Sequence, residues 1–342
     1  VTAPRTALPT ARLGGSAVEV TRLGMGTAPL GNLYTEVPDE QARAALDTAW
    51  KLGVRYFDTA PHYGLGLAER RLGGALAEHT EGAVVSTKVG RLLEPWPAGA
   101  DVPPDDLADG FAVPATARRV FDYSRDGVRR SVEESLRRLG RDRIDLALVH
   151  DPDDHMDEAL ATAFPALAEL RDEGVVGAIG TGMNDAAKLA RLVEGADIDA
   201  VLCAGRYTLL EQGALDALLP ACERRGTSVV IGGVYNSGLL ASPEPPADAT
   251  YNYAAAPPEL LERARRIAAV CAAHGVTLPQ AAVQFVQGHP AVAAVLVGVR
   301  SAAEAEAAAD AFAARVPAAL WAQLREQGLI REDAPPPGPE QE

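Results

Sequence analysis

Four polar residues in this chain fall where apolar runs stop, and together they could move a proton to or from an oxygen. Val54–Arg55–Tyr56–Phe57 leads into Asp58, and Thr59–Ala60–Pro61–His62 then delivers Tyr63. Val84–Val85–Ser86–Thr87 ends in Lys88, and Leu146–Ala147–Leu148–Val149 ends in His150. A free tyrosine has a pKa of about 10, too high for efficient proton exchange at neutral pH. A lysine ammonium beside it would stabilise the phenolate and lower that value, while a carboxylate holds the ammonium charged and in place. A histidine can hydrogen-bond the substrate oxygen and orient it. The set therefore contains an acid/base, its tuner, an anchor and an orienter, suited to proton transfer coupled to hydride transfer. Taken singly, each residue has a plainer role. A strand-end lysine snorkels, a lone histidine packs in a core, and Asp58 could cap the next turn. Their coincidence on one face is what carries the argument.

That face has to be built by the surrounding elements. Eight short apolar runs alternate with helical patterns: 23–28, 54–58, 83–88, 144–150, 175–180, 200–204, 228–232 and 292–298. Val128, Val132, Leu136 and Leu139 recur at helical spacing, as do Leu260, Ala264, Ile267 and Cys271. Near-continuous apolar strands separated by helices predict parallel strands covered on the outside, and eight such units closed on themselves give an α/β (β/α)8 TIM barrel. A doubly wound open sheet is the alternative. Two strand-to-strand steps are outsized, from 88 to 150 and from 232 to 298. The excess lies in Val89–Tyr123 and Gly233–Pro257, both rich in Pro, Gly and Asp. Each follows a strand's C-terminal end, so each is a βα loop on the face where barrels place their sites, and a substrate lid is the natural reading. Inert surface insertions are the alternative. A β-hairpin at Ala17–Val20, after the turn Gly14–Gly15, is expected to plug the opposite end. Residues 1–332 read as one barrel domain, with 333–342 (DAPPPGPEQE) a disordered Pro-rich acidic tail.

Bulk properties narrow the partners. With 342 residues, 47% hydrophobic and 23% charged, the chain can bury a sizeable core, filled by Ala, Val and Leu because only 5% is aromatic. A formal net charge of −15 repels nucleic acid and anionic lipid, so a phosphate-bearing ligand must be held by local geometry. Neither nucleic acid nor membrane is expected as a partner. No apolar run reaches the roughly 18 residues of a membrane span. Cys203, Cys222 and Cys271 lie at scattered apolar or helical positions and read as buried reduced thiols of a cytoplasmic protein.

The segment Gly53–Glu69 (GVRYFDTAPHYGLGLAE), with Ser86–Lys88 and Leu148–Asp154 (LVHDPDD), resembles the aldo-keto reductases over roughly residues 17–313. The resemblance implies the same barrel, a catalytic tetrad of Asp58, Tyr63, Lys88 and His150, and NAD or NADP as cofactor. It also implies cofactor contacts from Gly26 and Thr27 at the end of the first strand, from Asp58, and from Met183 and Asn184 after the fifth. Tyr207 would stack on the nicotinamide. Gly233, Val234, Asn236, Gly238 and Leu240 would fold over the pyrophosphate. Gly298, Arg300, Ser301 and Glu304 would lie at the phosphate end, where helix amides bind anions. Ser301–Glu304 also fits a capping box. Glu304 aligns where NADP-preferring members carry arginine, which favours NAD, while Arg300 keeps NADP open. HDPDDH, GGVYNSGLLA and ATYNYAAAPPELLERARRI are similar to the family's aldose 1-dehydrogenase branch, of L-fucose, D-arabinose and L-galactose type. Pyridoxal 4-dehydrogenases look alike here. A small sugar or aldehyde is thus the expected substrate, its C1 hydroxyl oxidised to a lactone. Loop position makes Tyr34, Trp96, Tyr123 and Asn236, with Tyr63 and His150, the candidate pocket.

Other readings fit less well. HDPDDH as a metal site lacks regular spacing and further ligands, so no metal is expected. No G-x-G-x-x-G follows the first strand and no P-loop occurs. A Schiff-base aldolase using Lys88, a general aldehyde or ketone reductase, and a non-catalytic cofactor-binding module like the potassium-channel subunits remain as rivals.

Overall fold

Short apolar strands cannot bury both faces alone. In the computed structural model, which describes residues 7–79, 82–252 and 254–337, they close on one another. The barrel strands are β1 (Leu23–Gly26), β2 (Tyr56–Asp58), β3 (Val84–Val89), β4 (Ile144–His150), β5 (Val176–Met183), β6 (Ala200–Ala204), β7 (Ser228–Gly232) and β8 (Val292–Gly298). Every neighbouring pair is parallel, and β8 pairs with β1 to close the ring. Around it lie α1 (Asp39–Lys51), α2 (Leu67–Leu76), α3 (Arg125–Leu139), α4 (Phe164–Asp172), α5 (Ala186–Gly195), α6 (Leu218–Arg225), α7 (Pro258–Ala273), α8 (Leu278–Val286), α9 (Ala302–Ala313) and α10 (Ala318–Glu326). The open-sheet alternative is excluded.

Period-two alternation sorts the side chains into two layers. Tyr56, Leu146, Leu148, Leu202, Val230 and Leu296 fill the barrel interior, and Phe57, Val85, Val89, Ala147 and Val149 pack outward against the helices. Four strands have the expected bounds. β5 runs on to Met183. β1 stops at Gly26, before the tight turn Ala28–Gly31, and β2 starts only at Tyr56. The Arg55 and Tyr56 amides both donate to Thr21 Oγ1 at 3.1 Å, which ties the chain before β2 to the plug rather than to a strand.

The plug is wider than the Ala17–Val20 expectation. Thr10–Arg12 pairs antiparallel with Glu19–Thr21, and Leu13, Val18 and Val20 enter the interior cluster. The Gly14 amide donates to Ser228 Oγ at 2.9 Å, at the start of β7, so the hairpin closes the N-terminal mouth. Both long loops hold small antiparallel hairpins, Arg91–Glu94 with Arg118–Phe121 and Thr250–Tyr251 with Ala254–Ala255.

The tail is a correction. Ala334 is fully buried, Arg325 donates to its carbonyl at 2.6 Å, and Pro335–Pro336 lies against Gly288 so closely that no Cβ would fit there. Residues 333–337 are therefore packed, and 338–342 lie outside the described residues. The three cysteines are buried and unpaired, and burial pushes each thiol up to about 12. Among the described residues no single helix is long and apolar enough to cross a membrane.

Candidate active site at the C-terminal mouth

Register brings the sequence-predicted residues together. Asp58 pairs with Ser86, and Lys88 follows two residues on, so both face inward. Lys88 pairs with Leu148, and His150 lies two residues beyond it. Buried Lys88 donates to Asp58 Oδ1 at 2.9 Å, to Oδ2 at 2.8 Å and to the Thr59 carbonyl at 2.8 Å. All three ammonium protons thus have acceptors. Ser86 Oγ donates to Asp58 Oδ1 at 2.7 Å and lies 3.1 Å from the Tyr56 hydroxyl, which fixes the carboxylate from below.

Tyr63 comes from the β2–α2 turn. Gly64, at φ +60°, sits so close to Gly31 that a Cβ would lie 2.2 Å from the Gly31 carbonyl oxygen. Only glycine admits that approach, and it fixes Tyr63 against the turn after β1. The Lys88 ammonium lies 4.8 Å from the Tyr63 ring centre. The Tyr63 and His150 rings meet edge-on at 6.1 Å.

The electrostatics correct one expectation. Burial pushes Tyr63 up to about 12; Lys88 opposes this, and Asp58 adds to it. The ammonium lowers the phenol as expected but does not bring it below 10, because burial outweighs it. For Lys88 itself burial is the largest influence and pulls downward, yet Asp58 and Tyr63 together leave it raised. Burial, then Arg91 and Lys88, holds His150 well below its usual range; His62 is pushed down to about 2 by burial, Arg91, Arg119 and Lys88. Both imidazoles are neutral at working pH.

Several expected pocket residues sit elsewhere. Tyr123 is fully buried and donates to the His150 carbonyl at 3.0 Å, so it supports His150 from behind rather than lining a pocket. Half-buried Trp96 donates to the Ala115 carbonyl at 2.8 Å and ties its loop to itself. Tyr34, 52% exposed, stands beside the turn at Gly110, whose carbonyl accepts from the Tyr34 amide at 2.8 Å. Asn236 is buried; its Oδ1 accepts from Thr208 Oγ1 at 2.7 Å, and its Nδ2 donates to the Gly205 carbonyl at 3.3 Å, so it shapes the loop after β7 instead of reaching substrate. Tyr207 has no exposed surface and packs on Phe285 at 5.4 Å and His289 at 5.7 Å. A ring so enclosed has no face free to stack on a nicotinamide.

The remaining expected cofactor positions lie at or after the C-terminal ends of β1, β5, β7 and β8. Thr27 donates from Oγ1 to the Asp58 carbonyl at 2.9 Å and, with Gly26, closes β1 onto β2. Asn184 is exposed beside buried Met183, and its carbonyl accepts from Arg206 at 2.7 Å. Val234 and Leu240 are buried, leaving only their backbone to a ligand. Gly238 has open space where a Cβ would stand, and Gly233 packs against Gly205, so the loop can approach a ligand closely. Exposed Gly298 leads to α9, where Ser301 Oγ caps the Glu304 amide. The capping box is modified: Glu304 Oε2 accepts from the Arg300 amide at 2.9 Å rather than from Ser301. Glu304 Oε1 also pairs with Arg300 Nε at 3.0 Å.

Four residues at the centre were not singled out from sequence. His62 lies 5.6 Å from the His150 ring, Phe111 packs edge-on to His62 at 5.2 Å, and Arg91 binds Asp151 at 2.6 Å. The signals were adjacency to Tyr63, to Lys88 and to His150; Phe111 had none. Among the described residues no three His, Cys, Asp or Glu side chains converge as metal ligands.

Comparison with known proteins agrees with this geometry. Residues 22–328 match the model of the aldo/keto reductase family. The chain is 48% identical over 328 residues to a D-threo-aldose 1-dehydrogenase from a Pseudomonas species, covering 94% of this chain and 98% of that one. It is 42% identical over 332 residues to a pyridoxal 4-dehydrogenase from Microbacterium luteolum, covering 93% and 97%. An aldo-keto reductase from Bacillus halodurans, in its holo form, superposes with a TM-score of 0.74 at 25% identity, covering 98% of this chain and 100% of that one. The chain belongs to the aldo/keto reductase family.

Proposed function

We propose that this oxidoreductase removes a hydride from C1 and a proton from the C1 hydroxyl of an aldose, of L-fucose, D-arabinose or L-galactose type, and releases the lactone. The observation that carries the reading is the buried Lys88, held by both oxygens of Asp58, beside Tyr63 and His150. NAD or NADP, when bound, supplies the hydride acceptor. Tyr63 Oη, as its phenolate, would take the hydroxyl proton, and a bound dinucleotide would accept the C1 hydride, which together account for the two-electron oxidation of the carbon. Lys88 stabilises that phenolate, Asp58 keeps Lys88 charged, and neutral His150 hydrogen-bonds the same oxygen without carrying charge to the site. Glu304 at the phosphate end favours NAD. The buried, unpaired thiols support a cytoplasmic setting.

The 48% identity to an aldose dehydrogenase supports the sugar, and the 42% relative supports pyridoxal as a second reading. An absorbance screen of NAD and NADP reduction with L-fucose, D-arabinose, L-galactose, other aldoses and pyridoxal separates them. Faster NAD reduction with one of the three sugars than with pyridoxal is expected. Faster turnover of pyridoxal would replace the sugar, and tight nucleotide binding with no turnover of any compound would favour a non-catalytic module.

A further inference from the structure

Asp151 directly follows His150 and adopts φ +40°, a left-handed conformation that side chains other than glycine rarely take. Its amide donates to the Gly182 carbonyl at 3.0 Å, which holds the backbone there. The turn brings Asp151 Oδ2 to 3.5 Å from His150 Nε2 and 2.6 Å from Arg91 Nη2. Arg91 lies over the Phe121 ring at 5.3 Å, and the Arg91 and Asp151 side chains are 16% and 32% exposed. Arg91 Nε and His62 Nδ1 are buried without a hydrogen-bond partner. Backbone strain at a pocket rim, next to unfilled polar valences, points to a ligand rather than to packing.

We propose that Asp151, with Arg91, binds the hydroxyl on the carbon next to the one oxidised, and so selects substrates bearing a hydroxyl at that position. The assignment rests on the reading that the reacting oxygen lies between Tyr63 Oη and His150 Nε2. A carboxylate oxygen 3.5 Å from that nitrogen stands beside it, so that while one substrate oxygen meets His150 a hydroxyl on the next carbon can reach Asp151. An ionised carboxylate only accepts, so the group it binds must donate, which favours a hydroxyl over a ketone or carboxylate. Arg91 supplies the complementary donor to the hydroxyl oxygen.

The test compares L-fucose with its 2-deoxy analogue on the wild type and on Asp151→Asn, since asparagine tolerates the same backbone. In the wild type kcat/KM should be about tenfold or more lower for the deoxy sugar, because the hydrogen bonds of that hydroxyl to Asp151 and Arg91 are lost. In Asp151→Asn the value for L-fucose should fall about tenfold more than that for the deoxy sugar, so that the ratio collapses. Equal wild-type values, or an unchanged ratio in the variant, overturn the assignment. If neither sugar turns over, the aldose reading has failed. The same comparison is then made with lactaldehyde and propanal in the reductive direction, where equal rates, or none, overturn this assignment too.

Discussion

The two long loops at the C-terminal mouth share a composition but are fastened to different things. The loop after β3 is bound to the proton-transfer residues. Arg119 bridges Asp106 at 2.5 Å and Asp109 at 2.9 Å and donates to the His62 carbonyl at 2.9 Å. Phe111 packs on His62 and Tyr63, and Tyr123 holds the His150 carbonyl. The loop after β7 is bound instead to the segment after β6. Asn236 joins Thr208 and Gly205, Tyr251 joins Glu211, and Arg206 lies 3.4 Å from the Tyr251 hydroxyl. One loop is therefore tied to the residues around Tyr63, and the other to the segment after β6, on the side where our proposal puts the nucleotide.

The largest test of that division removes the proton chemistry and leaves the nucleotide side alone. Tyr63→Phe should lower turnover by about 10²–10⁴-fold, the usual worth of a positioned acid/base, while nucleotide affinity by fluorescence titration stays within about twofold. Lys88→Met should lose as much. Tyr63 is at about 12 before ligands bind, and the phenolate is the active form for oxidation, so the wild-type oxidation rate should rise with pH. Removing Lys88 deletes the charge that opposes burial, which moves Tyr63 further up and shifts any residual activity to still higher pH. A profile unchanged by the substitution would break the assignment of Lys88 as tuner.

A crossed pair of variants comes next in size. Arg119→Ala leaves buried Asp106 without its partner and frees the first loop from the His62 carbonyl. The sugar kcat/KM should fall about ten- to hundredfold, since small misplacements of reacting groups are costly, with nucleotide affinity unchanged. Asn236→Ala should do the reverse, weakening nucleotide binding while the sugar KM at saturating nucleotide holds. If both variants changed both constants equally, the two loops would be one unit and the contrast would fail.

What the sequence made legible follows the same line. Strands with uninterrupted apolar runs, such as Ile144–His150 and Val292–Gly298, have their expected bounds, because burial on both faces leaves little choice of register. The polar residues that end them are equally legible: a lysine or histidine closing such a run must face the mouth. Loop aromatics are different. Tyr123 was placed by loop position and Tyr207 by the family resemblance, but whether each ring turns inward or outward depends on partners far along the chain, His150 for one and Phe285 for the other. Asp151 was visible only within an acidic string, and its left-handed turn toward His150 has no signature in composition. Asp333–Pro337 looked disordered for its proline and charge, yet small Ala334 and the Gly288 gap give it a seat.

The smallest expected effect lies on the nucleotide side, at the Arg300–Glu304 pair. Glu304 takes both the Arg300 amide and its Nε, so the guanidinium that could meet a 2′-phosphate is already engaged, and the carboxylate would repel that phosphate. Both side chains are about half exposed, at 51% and 42%, so water and salt weaken the interaction. Glu304→Gln removes the negative charge and releases Arg300 without removing the Ser301 cap, which uses the Glu304 backbone amide. The ratio of kcat/KM with NADP to that with NAD should rise about fivefold at low salt, as expected of one exposed pair, and the gain should shrink as salt is added. Rates with saturating NAD should not change, because the pair lies beyond β8, away from the Tyr63 loop. A ratio that stays put at every salt concentration would mean that nucleotide choice is made elsewhere along the loop after β7.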